Sequence, residues 1–318
     1  MPALAGGPAP APSGARRAVC VGIDRYTSSP LAGCVRDART WGTALRSLGF
    51  SVTTLLDEQA TRAGILSALT SLVTTASAGD VLVFQYAGHG TQVADVDGDD
   101  LDGFDEAFVP IDVDSGALLL DDDLAEVYAM LPQGAVLTLF MDCCHSGTNS
   151  RFAPRAAATA TGRERRRYLP LSPWLEQAHR LFRSRMAPAG RAANAATASL
   201  DGIVHVAACQ DNQYAYELDG AGNFTRIAAA ALVDAVGRGE TNEAFVARIA
   251  SAVEALGNPQ TPGLMKLPVL LTNIPLLSGA AAGSRPAPAD VSGPAVSGGD
   301  GALVHHLTEA LRLAGGRP

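Results

Sequence analysis

The 318-residue sequence is poor in aromatic residues, in cysteine and above all in lysine, of which Lys266 is the only one. A formal net charge of −8 argues against a nucleic-acid-binding protein, because phosphate neutralisation needs clustered Lys and Arg. Five cysteines, two of them adjacent, predict free thiols in a reducing compartment rather than a disulfide framework. No run approaches the ~18 apolar residues of a membrane span, and residues 1–17 lack the apolar core of a signal peptide. We therefore expect a soluble, cytoplasmic protein that binds neither nucleic acid nor membrane.

Apolar residues make up 47% of the chain, which is enough to bury a sizeable core. The charged residues are distributed unevenly. Twelve acidic residues lie between Asp95 and Asp123, and ten of the arginines lie between Arg151 and Arg191. The composition predicts a disordered Pro/Ala/Gly-rich tail at 1–16, a main domain at 17–275, a linker at 276–300 and an amphipathic helix at 301–318. An Arg-rich insertion at 148–200, with weak periodicity, interrupts the main domain.

Short β-branched runs alternate with helical stretches along the main domain. Helices are predicted at 35–48, 61–75, 122–131, 224–236 and 243–256, and strands at 18–23, 51–56, 80–86, 135–141, 202–208 and 267–271. This alternation predicts an α/β fold, with helices on both faces of a mainly parallel six-stranded sheet. Functional sites in such sheets form beyond the carboxyl ends of the strands.

A histidine and a cysteine follow two of the predicted strands directly. Gly88-His89-Gly90 ends the third strand and Asp142-Cys143-Cys144 ends the fourth. If these strands are neighbours, His89 can serve as the acid–base partner of a nucleophilic Cys144. The backbone N–H groups of Gly90 and Cys144 are then the natural donors to an oxyanion.

The sequences YAGHG and DCCHSG resemble the histidine and cysteine boxes of metacaspases and of the wider caspase-like peptidase family. The resemblance runs from about residue 17 to 272. Three further segments support it, namely residues 33–38, 208–213 and 258–262. It implies a caspase-like fold and a cysteine endopeptidase that forms a thioester intermediate, without a cofactor required for the chemistry. In that family the nucleophile directly precedes His-Ser-Gly, which selects Cys144 over Cys143.

The resemblance also implies a substrate pocket lined by carboxylates. Asp142 lies two residues before Cys144, and Asp37 follows Cys34 by three residues at the start of the first helix. The resemblance implies that Cys34, Asp37 and Asp142 line the pocket for the residue that precedes the cut. A buried carboxylate pair demands a cation, which arginine satisfies with two hydrogen bonds. Protein or peptide substrates with Arg, or less favourably Lys, before the cut are therefore expected.

The acidic stretch resembles the region where many metacaspases bind an activating Ca²⁺. Asp121 and Asp122 are the candidate ligands, although a solvated acidic loop is the alternative interpretation. The insertion carries Arg163, Arg165, Arg166 and Arg167, and an enzyme that cuts after arginine could process itself there. An upstream protease could make the same cut. The alternative interpretation is that the basic segment folds over the acidic site region and shields it, without being cut.

Two further hypotheses give the chain a different function. One is a catalytically silent caspase-like scaffold that recruits partners, against which the intact His89 and Cys144 argue. The other is a redox sensor that uses the adjacent Cys143 and Cys144. A metal site at Cys143, Cys144 and His145 is disfavoured, because three consecutive residues rarely converge on one ion.

Overall fold

A computed structural model describes residues 14–94, 104–144, 164–186, 202–210, 213–257, 259–265 and 269–279. All of them lie in the first of two units, Met1–Ala282; the second is Gly283–Pro318. Most of the predicted N-terminal tail and linker, and the whole C-terminal helix, lie outside the described residues, as does His145. Within the described ranges, no helix is long and apolar enough to cross a membrane.

The described elements alternate between strands and helices for most of the chain. The strands are β1 (Arg16–Gly22), β2 (Ser51–Leu56), β3 (Val81–Ala87), β4 (Gly90–Ala94), β5 (Phe104–Phe108), β6 (Leu119–Leu120), β7 (Val136–Asp142), β8 (Glu164–Arg166), β9 (Ile203–Ala207), β10 (Tyr216–Leu218), β11 (Ala221–Gly222) and β12 (Gly263–Met265). The helices are α1 (Cys34–Ser47), α2 (Arg62–Thr74), α3 (Asp121–Tyr128), α4 (Pro173–Arg185), α5 (Asn223–Gly237), α6 (Asn242–Glu254) and α7 (Val269–Thr272).

The main sheet has six strands in the order β12-β9-β7-β3-β1-β2. Every neighbouring pair is parallel except β12 with β9, so the predicted mainly parallel sheet is confirmed. Two three-stranded sheets, β4-β5-β6 and β11-β10-β8, lie outside the main sheet. The sequence did not predict them, because strands of two to five residues carry little periodic signal.

Two hydrophobic cores cover the two faces of the main sheet, as alternation along the strands requires. On one face, Val19 and Val21 of β1 pack with α2 and α3. On the other face, Ala18 and Cys20 pack with α1, α5 and α6. The predicted sandwich of helices on both faces is therefore confirmed.

One expectation for the C-terminal half of the main domain is wrong. The described part of the predicted last strand at 267–271 is not a strand, because Val269–Thr272 is a helical turn and the edge strand of the sheet is β12, Gly263–Met265. The Arg-rich insertion contains a regular helix, α4. Ser172 caps this helix by accepting a hydrogen bond from the Leu175 N–H, and Pro173 occupies its first turn.

Trp41 of α1 is the largest side chain that is completely buried. Its ring stacks on Phe140 of β7 at a centroid distance of 4.3 Å, and its indole Nε1 donates to Thr225 Oγ1 at 3.0 Å. It therefore joins α1, α5 and the centre of the sheet.

We expect Trp41→Ala to lower the free energy of unfolding by about 3–5 kcal/mol, because it opens a large cavity. Urea titration followed by circular dichroism measures the change. Trp174→Ala is the matched control, because Trp174 is 59% exposed and its loss should cost less than about 0.5 kcal/mol. Equal losses in the two variants would contradict this description of the core.

Candidate active site

The ends of β3 and β7 bring His89 and Cys144 to the same edge of the sheet. The two strands are parallel neighbours, with Ala87 opposite Asp142. His89 follows Ala87 by two residues, and Cys144 follows Asp142 by two residues. We expected the two side chains to lie close together if these two strands are neighbours, and the structure fulfils that condition.

The imidazole of His89 is buried and oriented by a backbone carbonyl. Its ring packs against Tyr26 at a centroid distance of 4.7 Å, and Nε2 lies 2.7 Å from the carbonyl oxygen of Ser29. Because a carbonyl oxygen only accepts, Nε2 carries the proton and Nδ1 presents a lone pair. Nδ1 has no hydrogen-bond partner among the described residues. Burial lowers the pKa of His89 to about 4, so the ring is neutral at pH 7 and able to accept a proton.

Ser29 is a site residue that sequence reasoning missed. It has φ of 55°, a left-handed conformation that a residue with a side chain adopts at a cost of about 1 kcal/mol. Its contribution is a backbone oxygen, which any residue type could supply. No signal in the sequence therefore distinguishes it.

The thiol of Cys144 is buried and contacts Ala215, the residue directly before β10, rather than His89. The backbone N–H of Ala215 donates to Sγ at 2.6 Å, and Cys209 packs beside it. Within the described residues, no hydrogen bond joins Cys144 to His89. Such a bond has to form before the thiol can transfer its proton to Nδ1. The five cysteines form no disulfide with one another.

The backbone N–H groups of Gly90 and Cys144, predicted to donate to an oxyanion, both donate to one carbonyl oxygen of this chain. The N–H of Gly90 donates to the carbonyl oxygen of Arg167 at 3.1 Å, and the N–H of Cys144 donates to the same oxygen at 3.2 Å. The N–H of Arg167 in turn donates to the carbonyl oxygen of Ala215 at 2.9 Å. The backbone of Arg167 is therefore fixed against Gly90, Cys144 and Ala215.

The guanidinium of Arg167 lies completely buried among three carboxylates. The guanidinium donates a hydrogen bond to the carboxylate of Asp37 and forms an ion pair with that of Asp142 at 2.8 Å, and the carboxylate of Glu217 lies 3.6 Å away. Burial raises the pKa of Asp37 to about 6 against the opposing effect of Arg167, and Asp142 adds to the rise. The structure thus brings together the two predicted pocket carboxylates and adds a third.

Glu217 is the second residue that sequence reasoning missed. It lies on β10, where its carboxylate also accepts hydrogen bonds from the backbone N–H groups of Ala32 and Gly33. The predicted pocket residue Cys34 lies beside it, with Sγ 4.0 Å from Glu217 Oε2. The only signal for Glu217 in the sequence is a lone carboxylate in a short run of apolar and aromatic residues.

A second layer of hydrogen bonds holds the pocket carboxylates in place. Thr225 Oγ1 donates to Asp142 Oδ2 at 2.7 Å, and the N–H of Gly222 donates to Asp37 Oδ2 at 2.9 Å. A Cβ atom on Gly222 would lie 2.5 Å from Asp142 Oδ2 and 2.8 Å from Asp37 Oδ2. Only glycine leaves room for a cation at this position.

The candidate calcium ligands do not form a metal site by themselves. Asp121 and Asp122 open α3, next to Asp123, whose carboxylate pairs with Arg62 and Arg183. In the described ranges, the single group of three or more potential ligand residues close enough to share an ion is Asp24, Cys34 and Glu217. Ca²⁺ takes six to eight oxygen ligands, so Asp121 and Asp122 are insufficient on their own. Residues 95–103 of the acidic stretch lie outside the described part.

Comparison with known proteins shows a similarity between the N-terminal part of the chain and metacaspases. Residues 16–151 match the model of the metacaspase, peptidase C14 domain. Metacaspase-1 of Cryptococcus neoformans is 39% identical over 148 residues, which cover 43% of this chain and 32% of that protein. Metacaspase-1 of Arabidopsis thaliana is 36% identical over 154 residues, which cover 45% of this chain and 42% of that protein. The chain therefore matches less than half the length of these relatives.

Solved structures show the same fold at lower sequence identity. The crystal structure of a Geobacter sulfurreducens protein has a TM-score of 0.64 and 24% identity, and the match covers 83% of this chain and 99% of that one. Caspase-1 from Spodoptera frugiperda has a TM-score of 0.54 and 13% identity, with 89% and 98% covered. The chain therefore has the caspase-like fold, and its residues 16–151 are similar to the metacaspase, peptidase C14, domain.

Proposed function

We propose that the chain is a cysteine endopeptidase that cleaves after arginine, and less efficiently after lysine, through Cys144 and His89. The observation that carries this proposal is the position of Arg167. Its guanidinium fills the three-carboxylate pocket while its carbonyl oxygen accepts from the N–H groups of Gly90 and Cys144. A peptide bond held in this way has its carbonyl polarised next to a thiol.

The proposed reaction begins when the thiol of Cys144 gives its proton to Nδ1 of His89. The thiolate attacks the carbonyl carbon, and the resulting oxyanion accepts from the Gly90 and Cys144 N–H groups. The carbon–nitrogen bond then breaks, and the leaving amine takes the proton from His89. A thioester on Cys144 remains. Water, deprotonated by His89, hydrolyses it to the carboxylic acid and the free thiol.

The charges of the pocket support the proposed order of substrates. Arginine can satisfy Asp37 and Asp142 together, because its planar guanidinium presents several N–H donors in a fixed fork. Lysine offers one compact charge and cannot bridge both carboxylates with the same geometry. An aspartate would place a fourth carboxylate among three, so cleavage after aspartate is disfavoured.

We expect the purified chain to hydrolyse fluorogenic peptides that end in arginine faster than those ending in lysine, with no hydrolysis after aspartate. Cys144→Ala should lower the rate by at least about a thousandfold, because the nucleophile is lost. Cys143→Ala is the matched control, since it removes the adjacent thiol and should retain activity. Activity lost in Cys143→Ala but kept in Cys144→Ala would contradict the assignment. Inactivity of every protein, including one nicked by trypsin, would favour the silent scaffold.

Calcium activation belongs to the proposal as a second part that rests on the acidic composition around Asp121 and Asp122. The same peptide assay with added calcium or with a chelator measures it. Equal rates under both conditions would remove calcium from the proposal and leave the peptidase assignment unchanged.

Self-processing is the third part of the proposal, and the geometry supports one bond above the others. Strand β8 pairs antiparallel with β10, and Arg167 follows β8 directly. After Arg167 the chain continues along β4, where the N–H of Leu169 donates to the carbonyl oxygen of Gly90 at 3.0 Å. The Arg167–Tyr168 bond therefore crosses the site in the way a substrate would. Arg165 and Arg166 have exposed side chains outside the pocket, and Arg163 lies outside the described residues.

We expect the incubated chain to yield a fragment that begins at Tyr168, identified by N-terminal sequencing or mass spectrometry. Arg167→Ala and Cys144→Ala should each abolish this fragment, whereas Arg165→Ala should retain it. A first cut at another arginine in the unchanged chain would contradict the choice of bond. A chain that stays uncut but becomes active after nicking would assign processing to an upstream protease.

Gly222→Ala tests the pocket without changing any charged residue. The added methyl group would collide with the carboxylates of Asp37 and Asp142, so we expect kcat/KM for arginine peptides to fall by about a hundredfold or more. Gly237→Ala is the matched control, because a Cβ atom there meets nothing within 4 Å. Unchanged cleavage in Gly222→Ala would mean that substrate arginine binds elsewhere.

A further inference from the structure

The segment that occupies the site, residues 164–169, is called the bound segment. Its second arginine near the site, Arg166, lies over two tyrosine rings. Its guanidinium carbon is 4.7 Å from the ring centroid of Tyr214 and 5.9 Å from that of Tyr216. The ring centroids are 6.4 Å apart and the rings are nearly perpendicular, at 76°. The faces and edges of the two rings thus form an open corner that holds one cation.

We propose that Tyr214 and Tyr216 form a binding site for a basic side chain, one residue before the arginine at which the chain cuts. This inference rests on the proposed function, because it assumes that a substrate takes the course of β8 through the site. It defines the substrate class as proteins with two consecutive basic residues before the cut, such as Arg-Arg or Lys-Arg.

The pairing of β8 with β10 fixes which side chain reaches which site. Arg166 lies opposite Tyr216 and Arg165 lies opposite Glu217. Successive side chains of an extended segment point to opposite sides, so Arg167 turns into the carboxylate pocket while Arg166 turns outward onto the rings. The two cations of a dibasic substrate would therefore bind to separate groups of residues.

The chemistry of the outer site differs from that of the pocket. Arg166 forms no ion pair with any residue that the structure describes, and its side chain is exposed. Attraction between a cation and the negative face of an aromatic ring is weaker than a buried ion pair, but it operates at an exposed position. A carboxylate at this position would face the same negative ring faces and is disfavoured.

The backbone of Tyr216 is fixed by contacts that do not involve the bound segment. Its backbone N–H donates to Gln260 Oε1 at 3.2 Å, and Gln260 Nε2 donates to the carbonyl oxygen of Ala208 at 3.1 Å. The backbone that carries this ring is therefore held in place independently of the bound segment. Tyr168, directly after Arg167, packs on the other ring, with its centroid 5.8 Å from that of Tyr214.

The first test measures kcat/KM for four matched peptides with Arg, Lys, Ala or Glu before a constant arginine. We expect Arg and Lys to exceed Ala by about fivefold, and Glu to fall below Ala. Because each ratio is taken within one protein preparation, competition from the chain's own segment cancels. In Tyr214→Leu the ratio of Arg to Ala should fall towards one, whereas Tyr214→Phe, which keeps the ring, should preserve it. An equal ratio in Tyr214→Leu and the unchanged protein would overturn the inference.

The second test needs no peptidase activity and so separates this inference from the proposed function. In Cys144→Ala, which cannot cut itself, trypsin should cleave after Arg166 and Arg167 slowly, because the segment is bound. Adding Tyr214→Leu should speed these two cuts several-fold, whereas adding Tyr214→Phe should not. Mass spectrometry distinguishes the two cuts from those at other arginines. Equal trypsin rates in all three proteins would overturn the inference even if arginine peptides are cleaved.

Discussion

The buried guanidinium of Arg167 is the interaction on which the arrangement of the site depends. Asp37 comes from α1, Asp142 from β7 and Glu217 from β10, so three separate elements bring negative charge to one point. Three carboxylates without a cation would repel one another in a region that water scarcely reaches, and removing one partner of a buried ion pair costs about 3–5 kcal/mol. The cation therefore stabilises the packing of these elements against each other, and the site requires a positive occupant.

The loop between β1 and α1 links the pocket to the histidine. Ser29 orients the ring of His89 through its carbonyl oxygen, while Ala32 and Gly33 donate their N–H groups to Glu217 three and four residues later. Glu217 in turn faces the guanidinium in the pocket. This one short loop thus contacts both His89, which would move the proton, and Glu217, which would recognise the substrate side chain. A shift of His89 or of Glu217 would therefore change the position of the other through the loop.

The sequence predicted the parts of this site that depend on regular structure. His89 and Cys144 could be predicted to lie close together because apolar sequence runs that end abruptly indicate parallel strands. Residues just beyond the carboxyl ends of neighbouring parallel strands lie at the same edge of the sheet. The course of the insertion could not be predicted. Selecting Arg167 among neighbouring arginines requires knowing which carboxylates meet in space. The strand expected at 267–271 failed because a short apolar run does not distinguish a strand from a helical turn, and Gly263–Met265 already pairs with β9.

Arg167 follows Cys144 by only 23 positions in the same chain. A ligand tethered so closely is present at an effective concentration in the millimolar range, whatever the amount of protein in solution. A first cut at Arg167 would consequently be unimolecular, with a half-time that does not change on dilution. Until that cut, an external protein would have to compete with this internal ligand, so sequences that bind weakly would be excluded. The short tether would thus set a minimum affinity for substrates, and a single irreversible cut would remove that requirement.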